Sequence, residues 1–250
     1  MKETILKKLS EIEEKHNITI LHAVESGSRA WGFASPDSDY DIRFIYKKPY
    51  IEYLTLWDKP DTIEFITEDD LDGAGWDLNK TLQLLAKSNG ALLEWLFPPV
   101  TYLSDKRFLS QIQTLAKENF SPITTLYHYL GTCKNFMDVC EADNVKLKSY
   151  FYAMRSALAG KWIVDKQTIP PVSFNELLII APEEVQDMAK KLMAIKAVND
   201  EKYLHPREEI ITNFLKETIN YNQANASQLS SGRKDNKKLE DFFRNEIQYK

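Results

Sequence analysis

Two apolar runs bracket one polar stretch near the N-terminus, and no other feature restricts the fold as much. Ile18-Thr19-Ile20-Leu21-His22-Ala23-Val24 reads as a buried strand that runs into Gly27-Ser28. Eleven residues separate Gly27 from Asp39. Asp39-Tyr40-Asp41 then opens a second strand, Ile42-Arg43-Phe44-Ile45-Tyr46. Alternation puts Tyr40, Ile42, Phe44 and Tyr46 on one face of it and Asp39, Asp41 and Arg43 on the other. Two carboxylates side by side repel at pH 7 unless a cation or a base lies between them.

A divalent metal removes that conflict. Mg²⁺ takes one or two protein carboxylates, keeps several waters and completes its octahedron with substrate phosphates. Glycine at the preceding strand end lets the backbone approach a phosphate, and Ser28 adds a hydroxyl donor. Arg29-Ala30-Trp31-Gly32-Phe33 can begin a short helix whose first amides attract anions. The competing reading of Ser38-Asp39-Tyr40-Asp41 is a polar turn that caps a strand, in keeping with the turn residues Ser35-Pro36-Asp37-Ser38.

The wording G-S-R-A-W-G-F-A-S-P-D-S-D-Y-D-I-R-F-I-Y, residues 27–46, resembles the signature of the DNA polymerase beta type nucleotidyltransferase superfamily. It is similar in particular to the RNA-repair-associated branch (RlaP type, or YcgL-like). Asp61-Thr62-Ile63-Glu64, Gly75-Trp76-Asp77-Leu78 and Leu92-Leu93-Glu94-Trp95-Leu96 extend the resemblance, which is dense over residues 20–100 and thinner beyond. It implies an enzyme that transfers a nucleoside monophosphate from a nucleoside triphosphate to an acceptor hydroxyl, with release of pyrophosphate. Asp39 and Asp41 would bind Mg²⁺ or Mn²⁺, and Gly27, Ser28 and Arg29 would meet the triphosphate. On the residues alone, Arg29 suits phosphate contact and Arg43 charge balance; either could instead pair with Asp39 or Asp41 to hold the loop.

The superfamily usually carries a third carboxylate near the pair. In the expected strand 61–67, Glu64 points away from Ile63 and Phe65, which makes it the candidate for general base or second-metal ligand. An exposed strand residue is the alternative for Glu64. Asp77 is the rival third carboxylate, although its place in the first turn of an expected helix from Trp76 already suits the helix dipole. That helix should end near Ser88-Asn89-Gly90, and 68–73 reads as an acidic loop.

Beyond residue 104 the periodicity is helical, with helices expected over 105–119, 122–141, 144–164, 183–198, 206–223 and 237–248, and over 2–15 at the start. In 144–164, Lys148, Tyr152 and Arg155 form a polar stripe at i, i+4 and i+7. It is a solvated face or, as the resemblance implies, a nucleotide contact. Arg233-Lys234 and Lys237-Lys238 read as a solvated linker before the last helix. The expected fold is thus α+β: a small mixed β-sheet domain with flanking helices over 1–120, then an all-helical domain over 121–250.

Other classes are set aside by composition. A net charge of −5 argues against a protein that coats polyanions, though not against one that engages an RNA end. No apolar run has spanning length, and Met1–Lys8 lacks the apolar core of a signal peptide, so the cytosol is the expected compartment. Cys133 and Cys140, two turns apart on one helix, are too distant to bridge and read as reduced buried residues. The four histidines show no metal-ligand spacing. The expected partners are a nucleoside triphosphate and, by resemblance, RNA (tRNA or a damaged RNA end). A protein or small-molecule acceptor is the alternative, as is a nucleotide-sensing module that has lost the chemistry.

Overall fold

The stripe Ile5, Leu9 and Ile12 makes α1 (Lys2–His16) a helix with one apolar face, and Asn17 ends it in the left-handed conformation at φ 49°. That face packs on Ile42, Phe44 and Tyr46 of β2 (Tyr40–Lys47), the alternate residues of one strand face. A computed structural model describes residues 1–67, 71–232 and 235–248. Among them, β1 (Thr19–Ser26), β2, β3 (Thr62–Ile66), β4 (Leu71–Asp77) and β5 (Thr101–Ser104) form one sheet in the order β3-β4-β2-β1-β5. Only the β2–β4 pairing is parallel. A short helix, α2 (Gly27–Trp31), follows β1; α3 (Leu78–Ala86), α4 (Gly90–Leu96) and α5 (Lys106–Glu118) follow β4 and β5.

β4 is a strand where 71–73 reads as part of an acidic loop and Trp76 as a helix start; residues 68–70 of that loop lie outside the described residues. The reason for the difference is steric. A methyl group placed on Gly73 would come within 2.0 Å of the Phe65 ring, and one on Gly75 within 2.1 Å of the Phe44 ring. Aromatic rings from the two flanking strands fill the space that side chains of β4 would take, so β4 is a strand with no apolar alternation of its own. The turn at 88–90 also differs: Ser88 adopts φ 52° after α3, and Asn89 caps the start of α4 by accepting from Leu92 N at 3.0 Å.

The second set of elements is helical: α6 (Pro122–Cys140), α7 (Leu147–Lys166), α8 (Phe174–Leu178), α9 (Glu183–Lys196) and α10 (Glu209–Asn225). It is not all-helical, because β6 (Asn144–Lys146) and β7 (Leu204–Pro206) pair as a two-stranded ribbon, and α7 begins only after it. Thirteen of the twenty residues of α7 are buried, including Tyr150, Phe151 and Met154, which makes it the central helix of this core. Cys133 and Cys140 are buried and free, and burial pushes both thiols up to about 12.

The chain divides into two compact units that are not contiguous. The first comprises Met1–Gly27, Asp39–Asn119 and Arg233–Lys250, the second Ser28–Ser38 and Phe120–Gly232. The expectation drew one cut, at residue 120. The chain in fact crosses four times, twice inside the stretch from Gly27 to Asp39. The last helix, α11 (Asn236–Gln248), belongs to the first unit: Arg107 pairs with buried Glu246, Lys47 Nζ donates to Glu246 O at 3.0 Å, and Phe242 packs on Phe108. Of the basic cluster, Lys237 and Lys238 open this helix, whereas Arg233 and Lys234 lie outside the described residues. No helix among the described residues is long and apolar enough to cross a membrane.

His22, 1 % exposed on β1, bonds Trp95 O through Nε2 at 3.0 Å and Ser104 Oγ through Nδ1 at 3.0 Å. A carbonyl only accepts, so Nε2 carries a proton. Burial holds its pKa below the ordinary 6.5. The unfolded chain therefore takes up a proton that the folded chain refuses as pH falls below about 6.5, and stability is lost in that direction. Urea midpoints measured from pH 7.5 to 5 should fall with a His22 contribution of at most about 1.4 kcal/mol per pH unit. The same series for His22→Gln should be flatter.

Candidate functional site

The first unit gathers its charged groups at the end of β1 and the start of β2. Gly27 has φ +63°, and a methyl group on it would come within 1.9 Å of Asp41 Oδ2. Only glycine lets the Asp41 carboxylate lie against the backbone there. Ser26 stands opposite Asp41 in the β1–β2 register. Asp39 precedes β2 and is exposed.

Arg43, two residues on and therefore on the same face, joins β2 to β4. Its Nη2 donates to Asp41 Oδ1 at 2.9 Å. Its Nη1 donates to Asp72 O at 3.0 Å and to Asp72 Oδ1 at 3.3 Å. Asp41 and Asp72 are register partners on adjacent parallel strands, so their carboxylates project from the same face with the guanidinium between them. The like-charge pair that the cation bridges is Asp41 and Asp72, not the Asp39 and Asp41 of the D-x-D spacing, and Arg43 does pair with Asp41. Asp72 was missed as a site residue because the glycines around it hide the strand that carries it.

Glu64 shares that face but not that position. β3 is the edge strand, separated from β2 by β4, and Glu64 pairs with Ala74 opposite Arg43. Two strand spacings alone put it ~10 Å from β2. It is exposed and also lines a surface cleft with Lys15, His16 and Lys59. Asp77 lies five residues further along β4 than Asp72 and does other work. Its Oδ1 accepts from Asn79 N at 2.8 Å as the N-cap of α3, and its Oδ2 accepts from Tyr53 OH at 3.1 Å. It is 2 % exposed, and desolvation raises its pKa against the opposing hydrogen bonds and Lys48.

The same strand face is covered at its other end, where Trp76 stacks on Trp95 of α4 with ring centroids 3.7 Å apart. Near the carboxylates it is open: Asp72 has 44 % side-chain exposure and Ile66 is 84 % exposed.

The other sequence-predicted residues belong to the second unit. Ser28 is buried, and its carbonyl accepts from Gly32 N and Phe33 N. Arg29 donates to Ser38 O through Nε at 3.2 Å and Nη2 at 2.7 Å, which closes the 28–38 segment into a loop. That loop docks on the Lys148-Tyr152-Arg155 stripe of α7. Trp31 meets Tyr152 edge-on at 4.8 Å and lies 4.4 Å below the Arg155 guanidinium. Arg155 is 3 % exposed and donates to Val172 O, so the stripe is not a solvated face at that residue. Lys148 pairs with Glu201 Oε2 at 2.8 Å, and Ser38 Oγ donates to Glu201 Oε1 at 3.1 Å. Among the described residues, no group of three or more His, Cys, Asp or Glu is placed to hold a metal ion.

Comparison with known proteins adds three findings. The model of the RlaP family, described as the RNA repair pathway DNA polymerase beta family, matches residues 1–245. The chain is 39 % identical over 238 residues to YcgL of Bacillus subtilis (strain 168), an uncharacterized protein, covering 94 % of this chain and 92 % of that one. A crystal structure of a nucleotidyltransferase-like protein from Exiguobacterium sibiricum 255-15 aligns over 91 % of this chain and 77 % of its own. It does so with a TM-score of 0.36 and 9 % identity, too loose a likeness to bear on the site.

Two glycines of the motif separate backbone strain from side-chain clash. Gly32 has φ +92° with nothing within 4 Å of an added methyl group, whereas Gly27 combines φ +63° with the Asp41 carboxylate. Gly32→Ala should cost about 1 kcal/mol, the strain of a left-handed alanine. Gly27→Ala should cost about 2–4 kcal/mol, because the methyl group also displaces Asp41. Differential scanning calorimetry of the two variants checks the order.

Proposed function

The chain belongs to the RlaP family, the RNA repair pathway DNA polymerase beta family, and from that premise we propose that it transfers a nucleoside monophosphate from a nucleoside triphosphate to a hydroxyl at an RNA end. The observation that carries the proposal is the pairing of Asp41 and Asp72 across β2 and β4, with Gly27 against one and Arg43 between both. The acceptor class, tRNA or a damaged RNA end, rests on the family's link to RNA repair.

Mg²⁺ or Mn²⁺ suits the donors in kind. Asp39, Asp41 and Asp72 each offer hard carboxylate oxygens, without converging as a three-ligand group in this structure, and the partial exposure of Asp41 and Asp72 leaves positions for water and phosphate. A bound divalent ion would neutralise phosphate charge and align the triphosphate. Asp72 is the third carboxylate in this reading, because it stands opposite Asp41, whereas Glu64 is one strand further out. The acceptor hydroxyl oxygen forms its bond to the α-phosphorus as the bond from that phosphorus to the leaving pyrophosphate breaks, and a Asp72 carboxylate oxygen takes the hydroxyl proton. Arg43 sits between Asp41 and Asp72 and holds them apart. Gly27, Ser28, Arg29, Lys148, Tyr152 and Arg155 are assigned to the nucleotide on the resemblance alone.

A second reading, a nucleotide- or RNA-binding module without the chemistry, is favoured by one observation: the Arg43 guanidinium already pairs with both carboxylates. Transfer to a protein or small molecule is the other alternative.

Pyrophosphate release and label transfer from each α-labelled ribonucleoside triphosphate, with Mg²⁺ and with or without tRNA, distinguish these readings. RNA labelling should fall at least ~100-fold in Asp41→Asn and in Asp72→Asn, and less than ~3-fold in Glu64→Gln. Nucleotide binding without release would leave the module. Label found on protein instead of RNA would change the acceptor. Loss in Glu64→Gln with activity kept in Asp72→Asn would return the third-carboxylate role to Glu64.

A further inference from the structure

Three groups hold Asp41, and two of them come from one strand end. Oδ1 takes the Arg43 guanidinium, and Oδ2 lies against Gly27. The backbone N–H of Asp41 donates to Glu25 Oε1 at 2.9 Å. Glu25 is 3 % exposed, on β1 two residues before Gly27, and its Oε2 accepts from Tyr102 OH of β5.

A carboxylate buried to this degree is costly unless hydrogen bonds replace its water. Here they come from the two strands on either side of β1. From these contacts we infer that Glu25 is a positioning residue for Asp41: its buried carboxylate fixes the height and direction at which β2 presents the Asp41 side chain. Tyr102 in turn holds Glu25, so β5, β1 and β2 are tied together by one carboxylate at the point where Gly27 makes room for Asp41. Glu25, Gly27 and Asp41 thus act as a unit. Removal of Glu25 takes away the side-chain acceptor of the part-buried Asp41 N–H, and the start of β2 must shift to replace it.

The catalytic consequence rests on the nucleotidyl-transfer reading, whereas the positioning itself does not, so the experiment measures both. Glu25→Leu removes the acceptor, Glu25→Gln keeps a carbonyl oxygen for Asp41 N–H, and Tyr102→Phe removes only the support of Glu25. Amide hydrogen exchange at Asp41, followed by NMR, should accelerate at least ~10-fold in Glu25→Leu, less in Tyr102→Phe and least in Glu25→Gln. Mn²⁺ titrations at a temperature well below each melting point should show the same order, with a midpoint raised ~10-fold in Glu25→Leu. kcat should fall while KM for the nucleotide changes less than ~2-fold. An Asp41 exchange rate unchanged in folded Glu25→Leu overturns the inference, as does an unchanged Mn²⁺ midpoint. If Glu25→Leu does not fold, an Asp41 exchange rate and a Mn²⁺ midpoint both unchanged in Tyr102→Phe and Glu25→Gln overturn it. A wild type that binds no Mn²⁺ while Asp41 exchange still responds overturns the nucleotidyl-transfer reading and leaves the positioning role standing.

Discussion

Asp41 and Asp72 face the same side of neighbouring parallel strands, and that arrangement stands only because Arg43 reaches both. Like charges directly opposite on paired strands are destabilising. The guanidinium supplies several N–H donors in a fixed plane, enough for two carboxylates and a backbone carbonyl at once. Its side chain has 19 % exposure, so the pair is neither fully screened by water nor sealed from it. A site of this kind is balanced at rest and open to an ion or a phosphate that offers better partners.

The register that makes this possible comes from glycine. Gly73 and Gly75 leave β4 with no bulk on the face that α1 covers, and the rings of Phe44 and Phe65 occupy the space. On the opposite face the same strand carries Asp72, Ala74 and Trp76, each beside its partner on β2. Trp76 anchors the far end by stacking on Trp95, and Asp77 then leaves the sheet by capping α3. One strand thus packs through its absences on one side and presents Asp72 on the other. The helical core holds the intervening loop in a comparable way: Phe33 stacks on Phe151 at 5.0 Å, and Trp31 fits under Arg155.

Much of this was legible without coordinates. The D-x-D spacing on an apolar-backed strand, the glycine before it, the α1 stripe and the helical periodicity after residue 104 are all local patterns. Cys133 and Cys140 fell into the buried class expected of them. What was read differently fell where one segment's structure depends on another's side chains. β4 looks like a loop until Phe44 and Phe65 are in place. Asn144–Lys146 looks like the start of α7 until Leu204–Pro206 pairs with it. Arg155 has the spacing of a surface residue, and the return of Trp31 buries it.

The sequence by itself determined which residues share a strand face, because alternation follows from backbone geometry alone: Asp41 and Arg43 on one side, Ile42, Phe44 and Tyr46 on the other. It also placed Gly27 at the end of the first strand, ahead of the D-x-D pair, and it carried the wording in which the family resemblance shows. Only the tertiary structure decided that β4 and not β3 lies beside β2, and so that Asp72 and not Glu64 faces Asp41. It alone joined residues 28–38 to the helical unit and α11 to the sheet unit. Strand order and unit membership are set by long-range packing, in which rings, glycines and buried charges far apart in the chain must fit together at once, and no local period records that fit.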